Sequence, residues 1–305
     1  MNYKLHTLWY RIVYRFFWLL SLPSLEFLYV WSDLAYPLVR RFYRRKVVRR
    51  QLEECFPELS KEERTRIERK FYHHLCDLVP EILKQFSMSR EEMMRRVKFV
   101  GLEPIDKGFD EGKTDLFCYL GHYGNWEWLA SLQYWSKVYH CAQIYHPLYN
   151  KMMDKLFLDV RNRYGGECIP MKVAARTLVK RKAEGKKVFC GFISDQLPKW
   201  ENIHHFTPFL NHDTAVFTGG EQMGKHFDAM MYYGRVTQPK RGYYVMEAVP
   251  LAHDSKDVAD YEITDRYMAL LEADIKAHPE LWLWTHKRWR RTKEEWERRN
   301  SCKPE

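Results

Sequence analysis

From about residue 97 onward, short apolar runs alternate with amphipathic stretches of helical length, and this alternation restricts the fold more than any other feature of the chain. Strand patterns fall at Leu116–Leu120, Val138–Tyr145, Gly166–Pro170, Val188–Ile193, Ala229–Val236 and Tyr243–Val249. Between and after them, helical patterns run over Trp126–Trp135, Lys151–Tyr164, Val173–Glu184, Phe217–His226 and Asp260–His278. Strands that alternate with helices of this length bury both faces of a sheet. The expected fold is therefore α/β, with a largely parallel sheet flanked by helices. The segment Gln238–Gly242 reads as a hairpin turn, which makes the sheet mixed. There is no internal repeat and no low-complexity linker.

Ahead of this region, residues 45–98 read as charged helices. Ser60 and Glu63 have the spacing of a capping box. Ile67, Phe71, Leu75, Leu78, Val79, Ile82 and Leu83 follow with a helical period, and Pro80 is expected to bend that helix or start a new one.

Residues 8–39 are dense in Trp, Tyr, Phe and Leu, yet the longest charge-free run, Phe16 to Leu25, is half of the roughly 20 residues a spanning helix needs. No small-residue cleavage site follows, so the segment is not read as a secretory signal. Two anchoring readings stay open. One is a tilted span over Phe16–Val39 that buries Glu26 and Asp33. The other is an interfacial or re-entrant segment broken near Pro23, with its aromatic residues at headgroup depth. A third reading is a core helix of a soluble protein. The expected division is residues 1–45 as a membrane-anchoring region and residues 46–305 as the catalytic domain.

Charge sharpens that division. The net charge is +10, but residues 1–50 carry ten basic and two acidic side chains, residues 286–305 carry eight and four, and the body between is nearly neutral. A basic collar beside an aromatic stretch suits an anionic membrane surface better than a nucleic-acid groove. The seven basic residues within Arg40–Arg50 place the body on the cytoplasmic side by the positive-inside rule. The seven cysteines are scattered, with no CxxC, and are read as reduced. Cys118 and Cys190 read as small apolar fillers.

The stretch Gly121-His122-Tyr123-Gly124-Asn125-Trp126-Glu127 carries the chemistry. It follows an apolar strand, and the carboxyl edge of an open α/β sheet is where ligands bind. Gly121 and Gly124 permit close approach of a substrate. Glu127, five positions after His122, is expected to fold back on the imidazole and fix its tautomer. The other ring nitrogen is then free to take a proton from a hydroxyl. Backbone N–H groups of Gly121–Asn125 are expected to hold the developing negative charge, and Gly124 and Asn125 are read as substrate-contacting.

The H-x4-E pattern of HYGNWE resembles the catalytic motif of the bacterial lipid A biosynthesis acyltransferases, within the wider lysophospholipid acyltransferase-like superfamily. Further blocks match in order: Tyr145–Asn150, with His146 where arginine is common; Arg161-Asn162-Arg163; Ile193–Gln196; Phe206–Leu210; and Pro279–Trp289, with Leu281 where glutamine is common. The resemblance covers roughly residues 5–292. It implies a membrane-associated enzyme that moves a fatty acyl group from an acyl-carrier-protein thioester to a hydroxyl of a lipid A precursor, with His122 as general base and Glu127 as its partner. It implies that Arg161 and Arg163 face phosphate or sugar groups, for which guanidinium contact is suited. Asp195 follows the Val188–Ile193 strand at the same sheet edge, where it orients substrate, orients His122 or caps an Asx turn. Another glycolipid, an aminolipid or a lysophospholipid is the alternative acceptor. A non-catalytic basic membrane or nucleic-acid adaptor is the remote alternative.

No cofactor is expected. The pairs His73-His74 and His204-His205 lack metal-ligand spacing. There is no serine-hydrolase elbow and no phosphate-binding loop of the Walker type. The tryptophans at 282, 284, 289 and 296 sit among basic residues and mimic a nucleic-acid stacking surface, but the family pattern assigns them to packing or to the bilayer side. The expected location is the cytoplasmic face of the inner membrane.

Overall fold

The computed structural model describes residues 3–136 and 138–301; Cys302 and the last charges of the basic tail lie outside the described residues. The chain opens with five helices: α1 (Tyr3–Leu20), α2 (Leu25–Phe42), α3 (Arg45–Cys55), α4 (Lys61–Lys84) and α5 (Arg90–Arg96). The α/β body follows as β1 (Val97–Val100), α6 (Glu103–Asp110), β2 (Asp115–Leu120), β3 (His140–Tyr145), α7 (Lys151–Asn162), β4 (Glu167–Pro170), α8 (Ala174–Ala183) and β5 (Val188–Ile193). It continues with β6 (Phe206–Phe209), β7 (His212–Ala215), α9 (Gly219–Phe227), β8 (Met230–Lys240), β9 (Tyr243–Ala252), α10 (Glu262–Ala277) and α11 (Lys293–Ser301).

Seven strands form one sheet in the order β1-β9-β8-β2-β5-β3-β4, with β6 and β7 as a separate hairpin. Every neighbouring pair in the large sheet is parallel except β8 with β9. The mixed, mainly parallel sheet flanked by helices is the expected architecture. Its centre is β2, where all six residues are buried. A strand covered on both faces reads as a continuous apolar run rather than an alternation, which is why Leu116–Leu120 stood out. The strand β1, the hairpin β6–β7 and the helix α6 were not anticipated. Each is short, and β6 contains Pro208, a residue that argues against a strand in sequence.

Pro80 does not end its helix: α4 runs on to Lys84. Nor does the apolar stripe alone face the core. Val79 is exposed, whereas Glu68, Asp77, Glu81 and Lys84 on the same helix are buried. These buried charges are partnered. Glu68 accepts from Arg40 (3.0 Å), Arg45 (2.8 Å) and Arg49 (2.6 Å), joining α2, α3 and α4. Lys84 donates to the carbonyls of Ser21 and Pro23 at the α1–α2 break. Much of the basic collar is therefore structural, and three of its seven charges meet one carboxylate.

The single span over Phe16–Val39 is not formed. The chain breaks at residues 21–24, where Ser24 caps α2. Glu26 pairs with Arg96 (2.8 Å) and Asp33 with Arg241 (2.7 Å), so both acids face protein partners. Among the described residues no helix is long and apolar enough to cross a membrane. The outer faces of α1 and α2 nevertheless expose Trp9, Ile12, Phe16, Phe27, Trp31, Leu34, Leu38 and Phe42.

Cys55, Cys76, Cys118, Cys141, Cys168 and Cys190 are free thiols. Cys118 and Cys190 are fully buried in the central strands, as fillers are.

Candidate active site

The sheet's carboxyl edge brings together residues far apart in sequence. His122 stands directly after β2 and Asp195 directly after β5, and these strands are hydrogen-bonded neighbours. The His122 Nδ1–H donates to Asp195 Oδ1 at 2.6 Å. The His122 backbone N–H donates to Oδ2 at 2.9 Å, and the Trp282 indole N–H donates to the same oxygen at 2.9 Å. Burial pushes the Asp195 carboxyl up. The imidazole, its hydrogen bond, the His122 N–H and the Trp282 N–H outweigh burial and hold it below the usual carboxylate value. An ionised Asp195 accepts only, so the ring proton is on Nδ1 and the lone pair is on Nε2. Nε2 lies 3.2 Å from the Gln196 side-chain nitrogen, which donates to it. The Trp126 ring packs edge-on to the imidazole with centroids 5.1 Å apart.

The partner expected from the sequence was Glu127, and this is a correction. Glu127 instead takes a bidentate pair from Arg161 of α7, at 2.8 Å and 2.6 Å. Asp195 occupies the place beside Nδ1. The arginine is mostly enclosed and its charge is neutralised by Glu127, so it is not an uncompensated phosphate clamp. Arg163, at the end of α7, donates to the Gln85 carbonyl and borders a groove beside Tyr14, Arg15 and Trp18 of α1. The structure thus brings His122, Glu127, Arg161 and Asp195 into one neighbourhood and leaves Arg163 outside it.

Gly124 and Asn125 do not contact substrate space. Gly124 has φ +60, and a Cβ there would lie 2.8 Å from Val236, so the position requires glycine for conformation and packing. Asn125 is fully buried. Its Oδ1 accepts from the Trp128 N–H and its Nδ2 donates to Glu81. Two of the expected oxyanion donors are likewise engaged. The His122 N–H is held by Asp195, and the Gly124 N–H donates to the Leu281 carbonyl at 2.9 Å.

That last bond belongs to a clamp the sequence did not reveal. Leu283 N–H donates to the His122 carbonyl at 3.1 Å, and Tyr123 pairs with Trp282 as a short antiparallel bridge. Tyr123 Oη donates to the carbonyls of Asp274 and His278 at the end of α10. The Pro279–Trp289 block therefore acts on the site by holding its loop. Behind it, Arg288 is fully buried and donates to the Ala215 carbonyl; burial lowers its pKa to about 10.

A cavity of about 780 Å³ opens from His122 along the carboxyl ends of β2, β3 and β5. That volume lies within the roughly 300–1,000 Å³ of small-molecule sites. Apolar walls come from Leu120, Phe157, Phe189, Phe192 and Met223, while Glu127, Arg161 and Gln196 stand at its polar end with His122. Among the described residues no group of three His, Cys, Asp or Glu side chains is arranged to hold a metal. His74 is buried alone, and His205 pairs with Asp265 at 2.8 Å.

An imidazole whose Nε2 faces the Gln196 amide, a buried carboxylate behind it and a largely apolar cavity in front form a site that suits an enzyme with an apolar substrate. The comparison with known families agrees. The model of the bacterial lipid A biosynthesis acyltransferases matches residues 3–291, essentially the whole chain. The chain belongs to that family and is an acyltransferase. No curated protein matches it.

Proposed function

We propose that this acyltransferase works at the cytoplasmic face of the inner membrane, moving a fatty acyl chain from an acyl-carrier-protein thioester to a hydroxyl of a lipid A precursor. The observation that carries the reading is the Asp195–His122 pair at the mouth of an apolar cavity. His122 Nε2 takes the proton of the acceptor hydroxyl as that oxygen attacks the thioester carbonyl. The new C–O bond forms, the tetrahedral intermediate collapses, the C–S bond breaks and the proton passes from the imidazolium to the leaving thiolate. Asp195 stabilises the imidazolium without taking its proton. The Gln196 amide, displaced from Nε2 by the acceptor, is a side-chain donor beside the reacting atoms and serves the developing oxyanion. The acyl chain fills the cavity lined by Phe157, Phe189 and Met223.

The membrane assignment rests on the exposed aromatic faces of α1 and α2, which lie beside basic residues as an interfacial helix pair does. On this reading the Glu127–Arg161 pair, which lines the cavity with His122, meets the polar part of the acceptor.

Purified protein, acyl carrier protein charged with a fatty acid, and a lipid A precursor test the reading. Mass spectrometry should show the precursor gaining one acyl chain. A parallel reaction offers a lysophospholipid. Acylation of that lipid alone would replace the acceptor and keep the chemistry; acylation of neither would overturn the proposal.

A further inference from the structure

The catalytic loop is held from below by a group that the acyl-transfer chemistry does not use. Glu81 sits in α4, fully buried, directly beneath residues 122–127. Its Oε1 accepts from Tyr29 Oη of α2 at 2.6 Å. Its Oε2 accepts from Asn125 Nδ2 at 2.6 Å and from Tyr244 Oη of β9 at 2.8 Å. The Glu81 backbone carbonyl also accepts from the Trp128 indole N–H at 3.0 Å. One side chain therefore ties the amphipathic helix α2, the sheet and the His122 loop together.

We propose that Glu81 is a positioning residue: its ionised carboxylate fixes Asn125 and, through it, the setting of the His122 loop. This rests on the acyl-transfer reading of that loop. The amide of Asn125 cannot turn over, because its oxygen already accepts from the Trp128 N–H at 3.1 Å. The nitrogen is thus a committed donor and requires an acceptor below it. A carboxylate with three donors and no cation in contact is an expensive group to bury, and an amide in its place would still accept from Asn125 and Tyr244 through its oxygen. What the charge adds is a stronger bond to each donor, since hydrogen bonds to an ionised acceptor are roughly twice as strong as neutral ones.

Burial pushes the Glu81 carboxyl up to about 7, against the opposing pull of the Tyr29, Tyr244 and Asn125 donors. The charged neighbours are few. Asp77, one turn back on α4, adds negative charge and is itself held by Arg241 (2.5 Å). Arg241 lies over the Tyr29 ring, and Arg96 also acts on that tyrosine. His74, also on α4, is buried and neutral at ordinary pH, with its pKa lowered by burial to about 4. The carboxylate is therefore gained through the neutral range, and the loop is set most firmly above it.

Glu81→Gln keeps the shape, keeps one accepting oxygen for Asn125 and Tyr244, sets an amide N–H toward Tyr29 Oη, which can turn to accept it, and removes the charge. Its kcat should fall about 10-fold with both KM values unchanged, the scale expected from a small displacement of reacting groups. The acid side of its pH–rate profile should also become shallower. The wild-type rate carries the roughly tenfold change that ionisation of Glu81 brings, and the glutamine variant has no such group to titrate, so that component should be missing from its acid limb. Tyr244→Phe removes one donor to the carboxylate and should move the wild-type acid limb to higher pH. A Glu81→Gln protein with wild-type kcat and slope, altered only in thermal stability, would make Glu81 scaffold and overturn the proposal. If that variant does not fold, an unmoved limb in Tyr244→Phe overturns it instead. In either case an inactive His122→Ala protein leaves the base assignment standing, so the two readings fail separately.

Discussion

Asp195 shows what a single residue does at this site and why it was half visible. The sequence suggested a carboxylate for His122 and offered the nearest one, Glu127, five positions on. The carboxylate that arrives is 73 residues away, because β2 and β5 pair in parallel and end side by side. Sheet order decides that, and no local pattern encodes it. Three donors converge on Asp195, so Asp195→Asn sets an amide N–H against at least one of them. Turned toward the ring, the amide favours the wrong tautomer and leaves Nε2 protonated. Turned the other way, it opposes the His122 and Trp282 N–H groups. The rate should fall on the order of 10³-fold. Stability should follow pH with a defined sign. The Asp195 carboxyl titrates below its ordinary 3.8, so its contribution is complete above that value and is lost as pH falls through the folded-state value. Melting curves should show the variant less stable than wild type at pH 7, with the gap closing below about pH 4. A gap independent of pH would contradict the ionic role.

At the scale of elements, the helical N-terminus carries two different faces. One is bolted to the body through Tyr29–Glu81, Ser32–Asp77 and the Glu68 cluster. The other is apolar and open. The sequence reading saw one basic collar behind an aromatic stretch. It missed that Arg40, Arg45 and Arg49 turn inward, because a helical charge run looks the same whether its partner is a lipid phosphate or a glutamate on the next helix. On the open face, Trp31 and Leu34 are each 62% exposed. Replacing both with Ser removes apolar area worth about 1–3 kcal/mol per side chain on entering a membrane and disturbs little in the folded protein. Flotation with anionic vesicles should show weaker binding at an unchanged melting temperature. Undiminished binding would remove these helices from the membrane reading.

Across the whole molecule, the parts legible in the sequence were those with a strong local signature: the apolar central strands, the β8–β9 turn, the Ser60 cap and the position of His122 just after β2. Those missed depend on tertiary placement. Asn125 and Gly124 looked like substrate contacts because they sit in the motif; they face inward because the loop is clamped by Leu281 and Leu283 above and Glu81 below. The family match carries the reaction class, and the roles within it are proposed from the geometry. In the proposed mechanism His122 Nε2 removes the acceptor's proton, and the decisive measurement is the rate of His122→Ala, folded to the wild-type melting temperature and given carrier-protein thioester and lipid A precursor. Acylated product by mass spectrometry should fall about 10²–10⁴-fold; a wild-type rate from that protein would rule out His122 as the base.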